Sequence, residues 1–338
     1  MIKLWLKMEE KLPFEKIERQ VITKKESETD KRYGKRPEER TVKELLDYGV
    51  INLNKPDGPT SHQVSDYVQR ILGIGKSGHS GTLDPRVTGV LPVALGKSTK
   101  IVQTLLTAGK EYTCLMHLHK ELAQSQIQQS VKELIGKIKQ IPPRKSAVKR
   151  EERTRTVYYL NIYEIEGKDI LFKVGCEAGT YIRKICHDWG KMLGISAHMA
   201  QLVRTKAGPF TDQDWTTLQD LKDAHEVYKE GNEEPLKKII KPVEKAIGHL
   251  PKIWALDTAV DTLCHGADLS TPGISKLHTN INKEDMVAVM TLKEELICLG
   301  ISRMTTEEML KQEKGIAVTT ERVFMEPGTY PKFVKKKD

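Results

Sequence analysis

Residues 78–93 read GHSGTLDPRVTGVLPV, and no single regular element accommodates that many glycines and prolines. Pro85 drives Asp84 towards an extended conformation and removes the next backbone donor. Gly78, Gly81 and Gly89 let the chain turn sharply or approach a ligand closely. His79 and Arg86 flank the carboxylate. An aspartate in a loop is commonly a turn former. The same pattern also holds a carboxylate rigidly at the rim of a cleft, and from these residues alone both readings stand.

Outward from this stretch, elements of both types mingle. GVINLNKPDGPT (49–60) reads as a strand closed by a turn. SHQVSDYVQRILGI (61–74) has apolar residues at helical spacing, with Ser61 as its N-cap. KEYTCLMHLHK (110–120) alternates as a strand does, and IQQSVKELIGKIKQI (127–141) reads as an amphipathic helix. Strands are expected at 156–166, 169–179 and 197–208. Helices are expected at 180–194, capped by Thr180, and at 215–230. No regular βαβ repeat emerges, so the fold class is mixed α+β rather than doubly wound. Beyond residue 246 short strands recur between turns with one brief helix, the pattern of a small β-barrel. Residues 1–45 are dense in mixed charge and cannot build a core alone, so they are either disordered or docked on something else.

The 338 residues are 38% hydrophobic and 30% charged, with a mean hydropathy of −0.47. That composition excludes a membrane protein and a low-complexity polymer. MIKLWLKMEEKLPF lacks a signal-peptide core, so a cytoplasmic protein is expected. The net charge of +9 is compatible with nucleic acid as a partner. The five cysteines are odd in number and contain no CxxC, which argues against a disulfide framework or a zinc knuckle and for buried thiols.

Four further motifs bear on function. In GTYIR (179–183) a helix start presents free N–H groups beside Arg183, either an anion-receiving site or an arginine on a solvated face. IPPRKSAVKREERTR (141–155) gathers Arg144, Lys145, Lys149, Arg150, Arg153 and Arg155 around a proline-stiffened turn, either a solvated loop or a grip on an RNA backbone. GIGKSGHSG fails as a phosphate loop because Arg70 stands where its first glycine is needed. His117 and His119 share a strand face, but the sequence identifies no third metal ligand.

Taken together and in order, GHSGTLDP, KEYTC, IPPRKSAVKR, EAGTYIRKI and LVRTKAGPF resemble the TruB/dyskerin family of RNA pseudouridine synthases, and HGADLSTPGI resembles the start of a PUA RNA-binding barrel. The resemblance covers residues 45–330. It is nearer to the guide-RNA-dependent branch than to bacterial TruB, given the charged N-terminal extension and the short LHKELAQSQI connection (118–127). With only KFVKKKD in place of a long lysine-rich tail, an archaeal-type enzyme is expected.

The resemblance implies an N-terminal extension over 1–45, packed on the PUA domain. A catalytic domain follows over 46–245, a PUA domain over 246–330 and a basic tail over 331–338. It implies Asp84 as the catalytic nucleophile with Arg183 as its counter-charge. Such a pair at 4 Å is worth on the order of 4 kcal/mol at an effective dielectric near 20. Tyr112 would stack on a flipped base, Tyr181 and Leu202 would line the pocket, and His79 would support the RNA where the base left. The basic segment would hold substrate RNA, although Lys145 stands where the family leads one to expect Arg, which weakens bidentate phosphate contact. The Gly266–Gly273 turn would approach the guide RNA. No cofactor and no metal are implied. The partners implied are an H/ACA guide RNA, substrate rRNA or tRNA, and three small proteins: a short zinc-ribbon-type protein, a small β-barrel protein and a kink-turn-binding ribosomal-type protein. A standalone tRNA pseudouridine synthase and a non-catalytic guide-RNA scaffold are the alternatives.

Overall fold

The computed structural model describes residues 10–142 and 149–332. Two β-sheets organise the chain. The larger has ten strands: β2 (Gly49–Lys55), β3 (Ser77–His79), β4 (Thr88–Leu95), β5 (Lys110–Leu118), β6 (Gly136–Gln140), β7 (Arg153–Glu166), β8 (Asp169–Cys176), β9 (Ala197–Ala207), β10 (Phe210–Thr211) and β11 (Ile240–Pro242). Its main path runs β11-β2-β4-β9-β5-β8-β7-β6, with β3 beside β4 and β10 beside β9. The smaller sheet joins β1 (Val21–Thr23) to β12 (Lys252–Ala255), β13 (Leu269–Ser270), β14 (Ile274–His278), β15 (Met286–Met290), β16 (Leu296–Ser302) and β17 (Ile316–Val323). The mixed α+β class and the C-terminal barrel are as the sequence leads one to expect.

Alternation decides what each strand buries. Along β5, Cys114, Met116 and Leu118 face the core, and opposite them the helix Ile182–Met192 presents Ile185, Cys186 and Trp189. This packing lays the helix against the sheet, and Tyr181, just before its first turn, meets Gln140 at the end of the edge strand β6. The two bodies share an apolar seam, in which Val50, Val90, Leu105 and Phe210 meet Trp254, Met290, Leu299 and Phe324.

Residues 10–45 dock on both bodies. Leu12 is fully buried. Glu10 accepts from Tyr163 at 2.6 Å and pairs with Lys173 at 3.2 Å, while Glu15 pairs with Lys206 at 3.0 Å. Further on, β1 adds an antiparallel strand to β14, and Arg40 grips Glu244 through two contacts of 2.8 Å. Residues 10–45 thus pack on the barrel and on the larger sheet as well.

Three local expectations need correction. The helix expected over 127–141 is confined to Gln124–Ser130 and a following turn, because GKIKQ alternates and joins β7 as the edge strand β6. Thr60, not Ser61, caps the helix Ser61–Leu72, its hydroxyl accepting from Gln63 N. Tyr181, not Thr180, precedes the helix Ile182–Met192, since the Thr180 hydroxyl turns back to donate to Glu177 O at 2.7 Å. All five cysteines are buried and free, as expected. Among the described residues no helix is long and apolar enough to cross a membrane.

Candidate active site

Asp84 sits on a loop that enters β4 and is anchored on both sides by buried residues, Leu83 and Val87, while Asp84 and Arg86 face outward. Ser61 accepts from Leu83 N at 2.8 Å, so the first turn of its helix ties down one end. Val87 N donates to Asp84 O at 2.9 Å and closes the turn. Gly81 adopts φ +91°, and Gly89, at φ +107°, lies so close to the Arg204 backbone that a Cβ would stand 2.3 Å from its carbonyl oxygen. Gly78 is ordinary extended chain in β3 and leaves room for a Cβ.

Two buried cations lie beneath this loop, and the sequence reading missed both. Lys55 is fully buried at the end of β2, and its Nζ donates to Pro56 O and Pro85 O at 2.8 Å and Val87 O at 3.0 Å. Arg204 is buried in β9, directly across from Tyr112, and donates to Val90 O at 2.6 Å and Gly81 O at 3.3 Å. Each satisfies several backbone carbonyls at once, which offsets the desolvation of its charge. Arg204 shares strand parity with the inward Leu202, and that parity was the available signal. Beside them the buried Lys110 amine donates to Leu105 O and Ala108 O, and burial pushes its pKa down to about 7.

Arg183 reaches back from the second residue of its helix to place Nε 3.1 Å from Asp84 Oδ2. Their side chains are 45% and 47% exposed. Water therefore screens the pair, and its worth to stability falls to about 0–1 kcal/mol rather than the roughly 4 expected from sequence.

Tyr112 and Leu202 are both buried, on β5 and β9, in one apolar cluster with Leu83, Val87 and Ile182. That cluster forms a floor beside the Asp84–Arg183 pair. Burial raises the Tyr112 pKa and lowers that of His79, so both are neutral at pH 7. His79 ends β3, with its Nδ1 buried and without a hydrogen-bond partner. Tyr181 is half-buried, and its N–H donates to Gln140 Oε1 at 3.0 Å.

The basic segment divides. Arg144 and Lys145 lie outside the described residues. Lys149 and Arg150 are exposed, Lys149 in an ion pair with Glu151. Arg153 and Arg155 belong to β7 rather than to a turn. Arg155 lies against Gly179 of the GTYIR turn, and its Nη1 is 3.7 Å from Glu177. In the barrel, Gly266 has φ +87° and open space beside it. Gly273 is backed by Leu269 and Ala259 at 3.1 and 3.2 Å from where a Cβ would stand, so its smallness serves internal packing.

Residues 69–125 and 117–182 match the family described as TruB family pseudouridylate synthase (N terminal domain), 183–248 the tRNA pseudouridylate synthase B C-terminal domain, 251–324 the PUA domain and 9–65 the DKCLD (NUC011) domain. The chain is 55% identical over 323 residues, 95% of each chain, to a protein of Methanopyrus kandleri named probable tRNA pseudouridine synthase B. A relative of the same name from Thermococcus kodakarensis is 53% identical, over 95% of this chain and 96% of that one. Among solved structures, a chain of the crystal structure of a Cbf5-Nop10-Gar1 complex superposes with a TM-score of 0.91 at 53% identity, covering 95% of this chain and 98% of that one. A chain of the structure of an H/ACA RNP bound to a substrate RNA containing 2'-deoxyuridine gives 0.89 at 51% identity, covering 94% and 98%.

Proposed function

The chain belongs to the TruB/dyskerin family of pseudouridine synthases, and from that premise we propose that it is the catalytic subunit of an H/ACA guide ribonucleoprotein that isomerises chosen uridines of ribosomal RNA. The observation that carries the chemistry is the Asp84 carboxylate held 3.1 Å from Arg183 beside an apolar floor containing Tyr112 and Leu202. The guide-dependent role is supported by likeness along nearly the whole chain to proteins solved in a Cbf5-Nop10-Gar1 complex and in an H/ACA RNP.

In this reading the N1–C1′ bond of a uridine breaks, uracil rotates and a C5–C1′ bond forms. The C5 proton leaves and N1 regains one, so atoms balance without a redox partner. Asp84 is the nucleophile, and Arg183 holds it in place as its counter-charge. The target base leaves its stack at a cost of roughly a few kcal/mol. It stacks on Tyr112, within a pocket lined by Tyr181 and Leu202. His79, neutral through burial, fills the space the base left rather than pairing with a phosphate. Lys149, Arg150 and Arg153 hold the substrate backbone, together with Arg144 and Lys145. Arg155, beside the GTYIR turn, orients the rim.

Residues 46–245 form the catalytic unit, 246–330 the guide-binding barrel near Gly266, 1–45 an N-terminal extension whose residues 10–45 brace the two, and 331–338 a basic tail. Partner proteins of the kind solved with the similar chains, together with a kink-turn-binding protein, complete the particle. The relatives' name favours a second reading, unguided action on tRNA.

Tritium release from C5-labelled uridine separates the readings. Release from a ribosomal target that requires guide RNA and partner proteins supports the first. Equal release from bare tRNA transcript, unmoved by guide, supports the second. No release from either substrate would make the protein a scaffold.

A further inference from the structure

The strands β6 and β7 pair as a hairpin, and Gln140, the last residue of β6, lies directly across from Arg153, the first of β7. The segment that carries Lys149 and Arg150 departs from this end of the hairpin. The same end holds the turn EAGTYIR (177–183) at two points. Glu177 N donates to Thr156 O at 2.8 Å, and Thr156 N donates to Glu177 Oε2 at 3.1 Å. Further along the turn, the Gln140 carboxamide meets both backbone groups of Tyr181. Its Oε1 accepts from Tyr181 N at 3.0 Å, and its Nε2 donates to Tyr181 O at 3.2 Å.

Strand alternation turns Gln140 inward on the face of Ile138, and it is only 3% exposed. A buried carboxamide is costly unless its oxygen and its N–H groups find partners, and here both find them on one residue. A carboxylate could only accept and an ammonium could only donate, so neither could make both bonds. Tyr181 O also receives the helix's own first bonds, from Lys184 N at 3.0 Å and Ile185 N at 3.1 Å. Tyr181 immediately precedes the helix Ile182–Met192, of which Arg183 is the second residue. The clamp thus fixes the origin of the element that places Arg183 Nε 3.1 Å from Asp84 Oδ2.

On the reading that Asp84 and Arg183 form the active site, we propose that Gln140 is a positioning residue for the isomerisation, its carboxamide clamping Tyr181 and so setting the pocket wall and the Arg183 guanidinium relative to Asp84. It touches neither the reacting atoms nor the substrate backbone. The clamp acts on main-chain groups and carries no charge, so it works whether or not Lys149, Arg150 and Arg153 hold RNA. A misplacement of about 1 Å at a reacting group costs on the order of 100-fold in rate, which makes such a clamp visible in turnover.

The test is the single-turnover rate of the guided particle at saturation, from about pH 8 to about pH 5, for wild type, Gln140→Leu, Gln140→Glu and Asp84→Asn. Gln140→Leu should lower the saturated rate by about 10–100-fold while substrate affinity and its salt slope stay as in the wild type. Gln140→Glu gives the sharper readout. When ionised, its carboxylate faces Tyr181 O with no proton to donate; when protonated, it makes both bonds again. Burial raises the pKa of such a carboxyl from about 4.3, and Arg153 across the hairpin holds it back. The rate of Gln140→Glu relative to wild type should accordingly rise as the pH falls towards 5. Should Gln140→Leu misfold by circular dichroism, the pH course of Gln140→Glu, which keeps the size of the side chain, decides alone. A ratio that stays flat or falls with acid, a wild-type rate in Gln140→Leu, or a loss recovered in full at saturation would overturn the proposal alone. Turnover by Asp84→Asn, or none by the wild type, would overturn the active-site reading and the proposal with it.

Discussion

The loop that presents Asp84 and the segment that begins at Lys149 both expose charge, and they are held in opposite ways. Beneath the first, the fully buried Lys55 and Arg204 clasp the carbonyls of Pro85, Val87, Gly81 and Val90. Around the second, cations meet carboxylates at the surface, as where Lys139 and Glu152 pair at 2.9 Å with side chains 72% and 54% exposed. Buried charges that satisfy several carbonyls are costly to remove, whereas exposed pairs contribute little. The difference suits two tasks. A nucleophile has to stand within a fraction of an ångström of its target, while a grip on a phosphate backbone works from many arrangements.

Asp84→Asn should have the largest effect: isomerisation at background with RNA affinity nearly intact, checked by tritium release beside filter binding. Loss of affinity in parallel would mean that Asp84 shapes the RNA site rather than the reaction. Next, Lys55→Met should lower stability by on the order of 3 kcal/mol, since it strands buried carbonyls, and should also slow turnover at temperatures where the protein remains folded. A denaturant melt that matches the wild type would remove the contrast between the two loops.

A smaller effect is expected on the brace. His249, edge-on to Phe14, and His278, paired with Val21, are both pushed down to about 4 by burial. Their folded values lie below the unfolded value near 6.5, so acid favours the unfolded state. Docking of residues 10–25 should be complete above about pH 6.5 and weaken as the pH falls towards 4. Limited proteolysis across that window should show cleavage in this segment before the sheets open, and cleavage independent of pH would contradict it.

What could be read from the sequence follows from physical period and parity. Strands such as β5 and β9 announce themselves because one face is buried and one is not. The helix expected through 127–141 failed at Gly136, beyond which Ile138 flanked by lysines serves a strand as well as a helix. Asp84 and Arg183 were legible as a loop carboxylate and a helix-start guanidinium, but their 3.1 Å approach depends on how the helix lies against the sheet. Lys55 was not legible, because a lysine closing an apolar strand ordinarily turns to water. Gln140 could not be joined to Tyr181, 41 residues away in sequence, before the fold was known.

The central claim is that the Asp84 loop performs the chemistry while the Lys149 segment only captures RNA. Its most direct test is the single-turnover rate of the guided particle at increasing enzyme excess, for wild type, Asp84→Asn and the triple variant Lys149→Ala/Arg150→Ala/Arg153→Ala. The triple variant should bind more weakly, with a salt slope flatter by about 2 at roughly 0.7 per phosphate contact, yet reach the wild-type rate at saturation. Asp84→Asn should stay at background at every concentration. A triple variant that remains slow at saturation, or an Asp84→Asn particle that turns over, would contradict the division.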